Sequence, residues 1–570
     1  MAAQGGVPID VLVDLLTVFI IAAGVGTFVA KVGNFPYTVA LLLAGVAASV
    51  VGMHVTIHLS HDLILLVLLP PLLFEGAATT DFERLRRNVV PVIALATVGL
   101  IVSIALLGLA GAALFPGFDL LLALLFAAAI LPTDPVSVLA LFEELGAPER
   151  LSVIVEGESL VNDGVGVVLF TALLGYVGGG AADLFTLAGL GHLAIDVALV
   201  SGGGLLVGLA GGVLAYSVMA SLDDHMTEIV VTIVLAYGVF LVAEHYAAQA
   251  LGFHLSGVIA TVVAGLFIGN RGAEYAMSPR TKISVFNTWE TGAFIVNTFI
   301  FLMIGVTTPV GALLDNAELI ALAIPLVVLA RAAVVYPITA ALNRLTSTTV
   351  PLSYQHVTVW GGLHASIPIA LVLGLPPGTP LRTELRAMVF GVAAFSLVVQ
   401  GLTMSALLDR LGIVTRTEAE EVFELLLGRA RAVDAALDAA EHLRDRGEIS
   451  GEVYADFTAE YEREKADLDA TISALLREHP DLHHEQLLAS ERRLLRREKS
   501  ALLAAIRSGA VSESVGDRLL EEVDIKIDMV EDGTSTVERR DEGYEEFWRS
   551  RAADLGLETR RTDEDGGQEA

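Results

Sequence analysis

The chain has no cysteine among its 570 residues. That absence excludes disulfides, thiolate metal sites and a cysteine nucleophile. No GxSxG stretch occurs, and no GxGD, since Asp163 precedes its glycines rather than following them. Bases are scarce: 35 Lys and Arg stand against 66 Asp and Glu, a formal net charge of −31. Nothing in that balance resembles a basic nucleic-acid surface. Residues 1–410 hold 26 acids and 13 bases, and the residues from Leu411 onward hold 40 and 22. The first apolar segment has no basic stretch before it and no small-residue cleavage site after it. It reads as a retained helix rather than a signal peptide.

What is abundant is apolar sequence. Hydrophobic residues make up 54% of the chain, and its mean hydropathy is +0.67. Apolar runs recur from Ile9 to Leu408, and about 20 such residues suffice to cross a ~30 Å hydrocarbon core. The runs predict an all-α polytopic membrane protein with about thirteen transmembrane helices. They lie near 9–30, 35–53, 61–78, 89–114, 119–142, 151–176, 186–218, 227–248, 254–270, 285–307, 317–341, 354–375 and 385–409. The seventh is long and glycine-rich, so a tilt or a break is expected there. Loops after odd-numbered spans carry Lys31, Arg84, Arg86, Arg87, Arg150, Arg271, Arg280, Lys282, Arg344 and Arg410, whereas loops after even-numbered spans carry Arg382 and Arg386. The asymmetry places the odd loops inside, with the N-terminus outside and the C-terminus cytoplasmic. The remaining base, Arg331, lies deep in the eleventh span.

Two spans carry breakers. The fifth contains LPTDPVSV, where Asp134 before Pro135 reads as an N-cap followed by the first position of a new half-helix. The twelfth contains WGGLHASIP, interrupted by Gly361, Gly362 and Pro368. The two spans are seven apart and so cross in opposite directions. Broken helices at matching positions of two antiparallel halves mark an inverted-repeat secondary transporter. The halves would be spans 1–6 and 8–13. Beyond Leu411 the composition turns charged and helix-favouring, with helices expected at 417–445, 451–478, 481–508 and 513–531. Three parts follow: a transmembrane domain over 1–410, a cytoplasmic helical domain over 411–557, and a disordered tail over 558–570.

The chemistry concentrates in VIVEGESLVNDGVGVVLF, residues 153–170. A carboxylate at bilayer depth costs a few kcal/mol or more unless it is paired or hydrated. On a helix, Ser159 and Asp163 share one face, and Glu158 and Asn162 share the neighbouring one. A carboxylate with a hydroxyl on its own face and an amide beside it can cradle a small cation. A lone membrane arginine needs an acid, and Glu158 is the most suitable partner for Arg331. Glu156 lies shallower and reads as a cytoplasmic funnel residue. Glu290, Glu244 and Asp14 sit near span ends and read as interfacial.

EGESLVND, residues 156–163, resembles the signature of the monovalent cation/proton antiporters of the first kind. These are the NhaP-type sodium/proton antiporters and their relatives, the eukaryotic sodium/proton exchangers. PPLLFEGA, TDPVSVLA, FEELGAPERL, SGVIATVVAGLFIGN, WETGAFIVNTFIFLMIGV and ARAAVVYP agree with it in order. The resemblance spans residues 10–410 and leaves out the tail. It implies that Asp163 alternately holds a proton and a cation. Asn162 marks the asparagine–aspartate branch, which implies electroneutral exchange. Ser159, Thr133 and Glu75 would complete an oxygen shell for Na⁺, with Asp134 offsetting half-helix dipole ends at the helix crossing. The Glu158–Arg331 pair would hold the transporting bundle together. The resemblance also implies a homodimer in the cell membrane, surrounded by lipid, without a cofactor beyond the transported Na⁺ and H⁺. The family commonly reads GGLRG in the twelfth span, whereas this chain reads GGLHA. A permanent charge becomes a titratable one, which makes His364 a candidate pH modulator. Two alternatives stand beside this reading: a K⁺/H⁺ antiporter of the same fold, and an intramembrane hydrolase, for which the sequence offers no dyad.

Overall fold

The computed structural model describes residues 9–32, 36–51, 59–134, 136–177, 184–222, 224–308, 310–346, 349–413, 418–507, 509–531 and 533–536. The expectations for Pro135 and for the tail at 558–570 fall outside these residues. Every regular element among the described residues is helical. Helices satisfy their own backbone hydrogen bonds, as an apolar chain in lipid requires. The chain forms two compact units, Met1–Thr415 and Arg416–Ala570.

In the first unit, α1 is Ile9–Val32, α2 Tyr37–Val50, α3 Leu63–Thr79, α4 Val89–Leu114 and α5 Leu120–Ile130. Then come α6 Val136–Leu145, α7 Glu149–Gly175, α8 Leu187–Met219, α9 His225–Ala250 and α10 Gly257–Phe267. The series ends with α11 Pro279–Thr307, α12 Ala317–Leu345, α13 Leu352–Trp360, α14 Ser366–Leu373 and α15 Arg382–Arg410. Among the described residues, seven helices are long and apolar enough to cross a membrane: α1, α4, α8, α9, α11, α12 and α15. The helix α8 runs unbroken for 33 residues. At ~1.5 Å per residue it exceeds a ~30 Å core, and the expected break does not occur in it.

The core sits around α5. It is apolar on every side, and Phe126, Ala127, Ala128, Ala129 and Ile130 are fully enclosed, as expected of a helix with no polar face. Close crossings need glycine at a few points. A Cβ on Gly45 of α2 would lie 2.9 Å from the Gly305 Cα of α11, and one on Gly305 would lie 2.9 Å from the Gly45 Cα. Gly166 of α7 likewise leaves room for the Pro132 ring.

Both interrupted spans are interrupted in the structure. Residues 131–134 lie outside helix after α5, and residues 361–365 separate α13 from α14. Pro368 is a correction, because it does not mark the second break. It is the third residue of α14, where a backbone N–H has no intrahelical acceptor and its loss costs nothing. Gly361 and Gly362 do lie in the break. The two breaks touch: the Asp134 N–H donates to the Leu363 carbonyl at 2.7 Å. A π-helical turn at Ser396–Gln400 in α15 presents Ser396 and Gln400 to the second break.

The second unit contains α16 Glu418–Asp445, α17 Gly451–Glu478, α18 Pro480–Arg507 and α19 Glu513–Glu531. Gly447 and Gly509 adopt φ of 72°, the left-handed conformation that ends a helix without a Cβ clash. Arg429 grips Glu464 through two hydrogen bonds of 2.6 and 2.9 Å, joining α16 to α17. That bond holds the Glu464 carboxyl below its ordinary range. Leu495, Val523 and Val530 form the small core between α18 and α19.

Candidate functional site

The two breaks and the middle of α7 meet at one place. Asn162 of α7 holds Thr133 of the first break twice: the Thr133 N–H donates to Asn162 Oδ1 at 3.3 Å, and Asn162 Nδ2 donates to Thr133 Oγ1 at 2.9 Å. The Thr133 hydroxyl is also 3.0 Å from Ser159 Oγ. Residues of a broken helix lack i to i−4 partners, and this side-chain amide supplies them. Ser159 therefore reaches across to Thr133 and not merely back along its own helix.

Asp163 is 8% exposed. Among the described residues, its Oδ1 is buried and has no hydrogen-bond partner. An isolated buried carboxylate is costly until something neutralises it. Asp134 lies close enough for its charge to act on Asp163. The Asp134 carboxylate also accepts the Ser366 hydroxyl at 3.4 Å, in the first turn of α14. There it can offset the positive ends of two half-helices.

Glu158 and Arg331 form an ion pair. Arg331 Nη2 lies 3.0 Å from one Glu158 oxygen and 3.1 Å from the other, with the side chains 4% and 11% exposed. Arg331 Nε also donates to the Thr358 carbonyl at 2.9 Å, near the end of α13. A Cβ on Gly362 would lie 2.5 Å from Arg331 Nε, so this glycine makes room for the guanidinium. His364 is enclosed, and its Nδ1 lies 3.1 Å from the Pro132 carbonyl. A carbonyl only accepts, so Nδ1 carries the hydrogen.

Among the described residues, the hydrogen bonds that join Thr133, Ser159 and Asn162 do not include Glu75. It is half-buried in α3, beside Phe74, Ile268, Phe286 and Trp289. The acids whose charges act on it are Glu156 and Glu290. Pro70 and Pro71 lie at the start of the α-helical part of α3, after a π-helical turn. Glu156 accepts the Thr80 hydroxyl at 2.6 Å. Glu244 accepts the Gly257 N–H at 3.0 Å, at the start of α10.

Sequence reasoning missed Ser396, Gln400 and Thr358, which fasten the second break. The His364 N–H donates to Ser396 Oγ at 3.0 Å, and Gln400 Nε2 donates to the Trp360 carbonyl at 3.0 Å. The signal was available: a polar pair four residues apart inside the apolar run of the thirteenth segment.

A family model described as "Sodium/hydrogen exchanger, transmembrane" matches residues 16–410. The chain is 35% identical over 530 residues to the Na(+)/H(+) antiporter NhaG of Bacillus atrophaeus, a match covering 89% of this chain and 96% of that protein. It is 36% identical to the Na(+)/H(+) antiporter ApNhaP of Aphanothece halophytica, over 75% of this chain and 80% of that one. Its fold is similar to that of the sodium proton antiporter MjNhaP1 of Methanocaldococcus jannaschii, with a TM-score of 0.59 at 19% identity, over 71% of this chain and 98% of that structure. With its family motifs in order and its family model running from within α1 to the end of α15, the chain belongs to the sodium/hydrogen exchanger family, of NhaP type: multi-pass membrane transporters and not enzymes.

Proposed function

We propose that the chain exchanges Na⁺ for H⁺ across the cell membrane, one for one, with both ions competing for Asp163. The observation that carries this is the buried Asp163 oxygen without a partner, set beside Thr133, Ser159 and the meeting point of two broken helices. A desolvated carboxylate is stable when it holds a proton or a cation, and bare it is not. If only the loaded site crosses, competition alone enforces exchange. The Thr133 backbone and the Thr133 and Ser159 hydroxyls supply further oxygens, which suits a hard cation. Glu75, with Glu156, serves the approach from the cytoplasm. Glu75 is also the second carboxylate proposed for the oxygen shell.

In this reading the polypeptide crosses the membrane thirteen times, with its N-terminus outside. Two inverted halves flank α8, and the chain works as a homodimer. The bundle of spans 4–6 and 11–13 carries the site between inward- and outward-facing positions. Glu158 stays paired with Arg331 and takes no part in the charge cycle, so the exchange is electroneutral. The names of the relatives support Na⁺ over K⁺. The test is dequenching of a pH dye in proteoliposomes with each alkali cation in turn, with the potential clamped by valinomycin for the Na⁺ runs. Na⁺ should drive dequenching at a rate that stays constant as the potential changes sign. A response to K⁺ alone would favour a K⁺/H⁺ exchanger, and a clear voltage dependence would refute one-for-one stoichiometry.

A further inference from the structure

We propose that His364 is a positioning residue for the cation site: its Nδ1–H holds the Pro132 carbonyl and thereby fixes Thr133 beside Asp163. The inference rests on the reading of Asp163 and Thr133 as cation ligands. It starts from the backbone of the first break. Residues 131–134 lie outside regular helix and are largely buried, so each polar group there needs a partner. The Thr133 N–H finds Asn162, and the Asp134 N–H finds the Leu363 carbonyl. The Pro132 carbonyl finds His364 Nδ1 at 3.1 Å. Thr133 is thus held on its α7 side by Asn162 and Ser159, and through its preceding peptide by the imidazole.

The backbone that carries the imidazole is itself fixed. The Ser396 hydroxyl accepts the His364 N–H at 3.0 Å and donates to the Ala393 carbonyl at 2.9 Å. Four residues on, Gln400 holds the Trp360 carbonyl at the other end of the same break. The π-helical turn of α15 is what puts both side chains against one loop. Hydrogen bonds therefore tie α15 to the His364 backbone, and the His364 ring to the first break. The ring makes the tie to the first break through Nδ1.

Side-chain geometry separates this role from simple filling of space. The Nδ1 atom is two bonds from Cβ, as is the amide nitrogen of asparagine, whereas glutamine carries its amide one bond further out. Na⁺-dependent dequenching is measured in proteoliposomes for His364→Asn and His364→Gln, giving KM for Na⁺ and maximal rate, alongside each variant's melting temperature. The expected result is a KM within about threefold of the parent for His364→Asn and about tenfold higher for His364→Gln, the size of one buried hydrogen bond lost, at similar melting temperatures. If the two variants behave alike, whether both intact or both impaired, or if glutamine outperforms asparagine, the positioning role is overturned. Asp163→Asn in the same assay separates the failures. Parental transport by that variant would sink the site itself. Its silence, with the two His364 variants alike, would sink only the role of His364.

Discussion

Arg331 is the one base of the first 410 residues that lies deep in a membrane-length helix, and three contacts hold it. Two go to the Glu158 carboxylate and one to the Thr358 carbonyl. Removing one member of a buried pair strands the other charge, which costs roughly 3–5 kcal/mol. Arg331→Ala should therefore lower the melting temperature sharply, and Glu158→Gln should do so as well. The double variant should lose less than the sum of the two. Additive shifts would rule out direct coupling. This pair was legible in the sequence, because a single base in an apolar bundle must find an acid. The contacts of Asn162 with Thr133 were not, since they join residues 29 apart that only the break brings together. Glu75 was less legible: its depth and the prolines before it do not fix its direction.

At the scale of helices, the breaks were legible because proline and glycine act locally on the backbone. Their edges were less so. Pro368 fell inside α14, since the first turn of a helix tolerates a missing N–H. The mutual crossing of the two breaks could not be read at all, because no local rule pairs residue 134 with residue 363. The Gly45–Gly305 crossing was equally hidden. There two backbones touch, and either Cβ would enter the other helix. Gly305→Ala should destabilise the protein by about 1–3 kcal/mol, despite the higher helix propensity of alanine, because overpacking outweighs that gain. Thermal melting in detergent measures it. A variant as stable as the parent would mean that α2 and α11 can separate freely.

For the whole molecule, the composition boundary near Leu411 and the division of the structure after Thr415 fall at nearly the same place. All the residues assigned to the exchange site precede it. Ending the chain at Thr415 should leave Na⁺-dependent exchange intact in proteoliposomes while shifting its pH profile. A correctly inserted truncation without activity at any pH would show that the second unit takes part in transport. The central claim is that one carboxylate serves both ions, and Asp163→Asn tests it most directly. The purified variant is reconstituted beside the parent, and Na⁺-driven dequenching of a pH dye is recorded at matched protein amounts. The account predicts no Na⁺-dependent signal from a variant that melts near the parental temperature, because an amide can neither release a proton nor neutralise a cation. Exchange at the parental rate would contradict it.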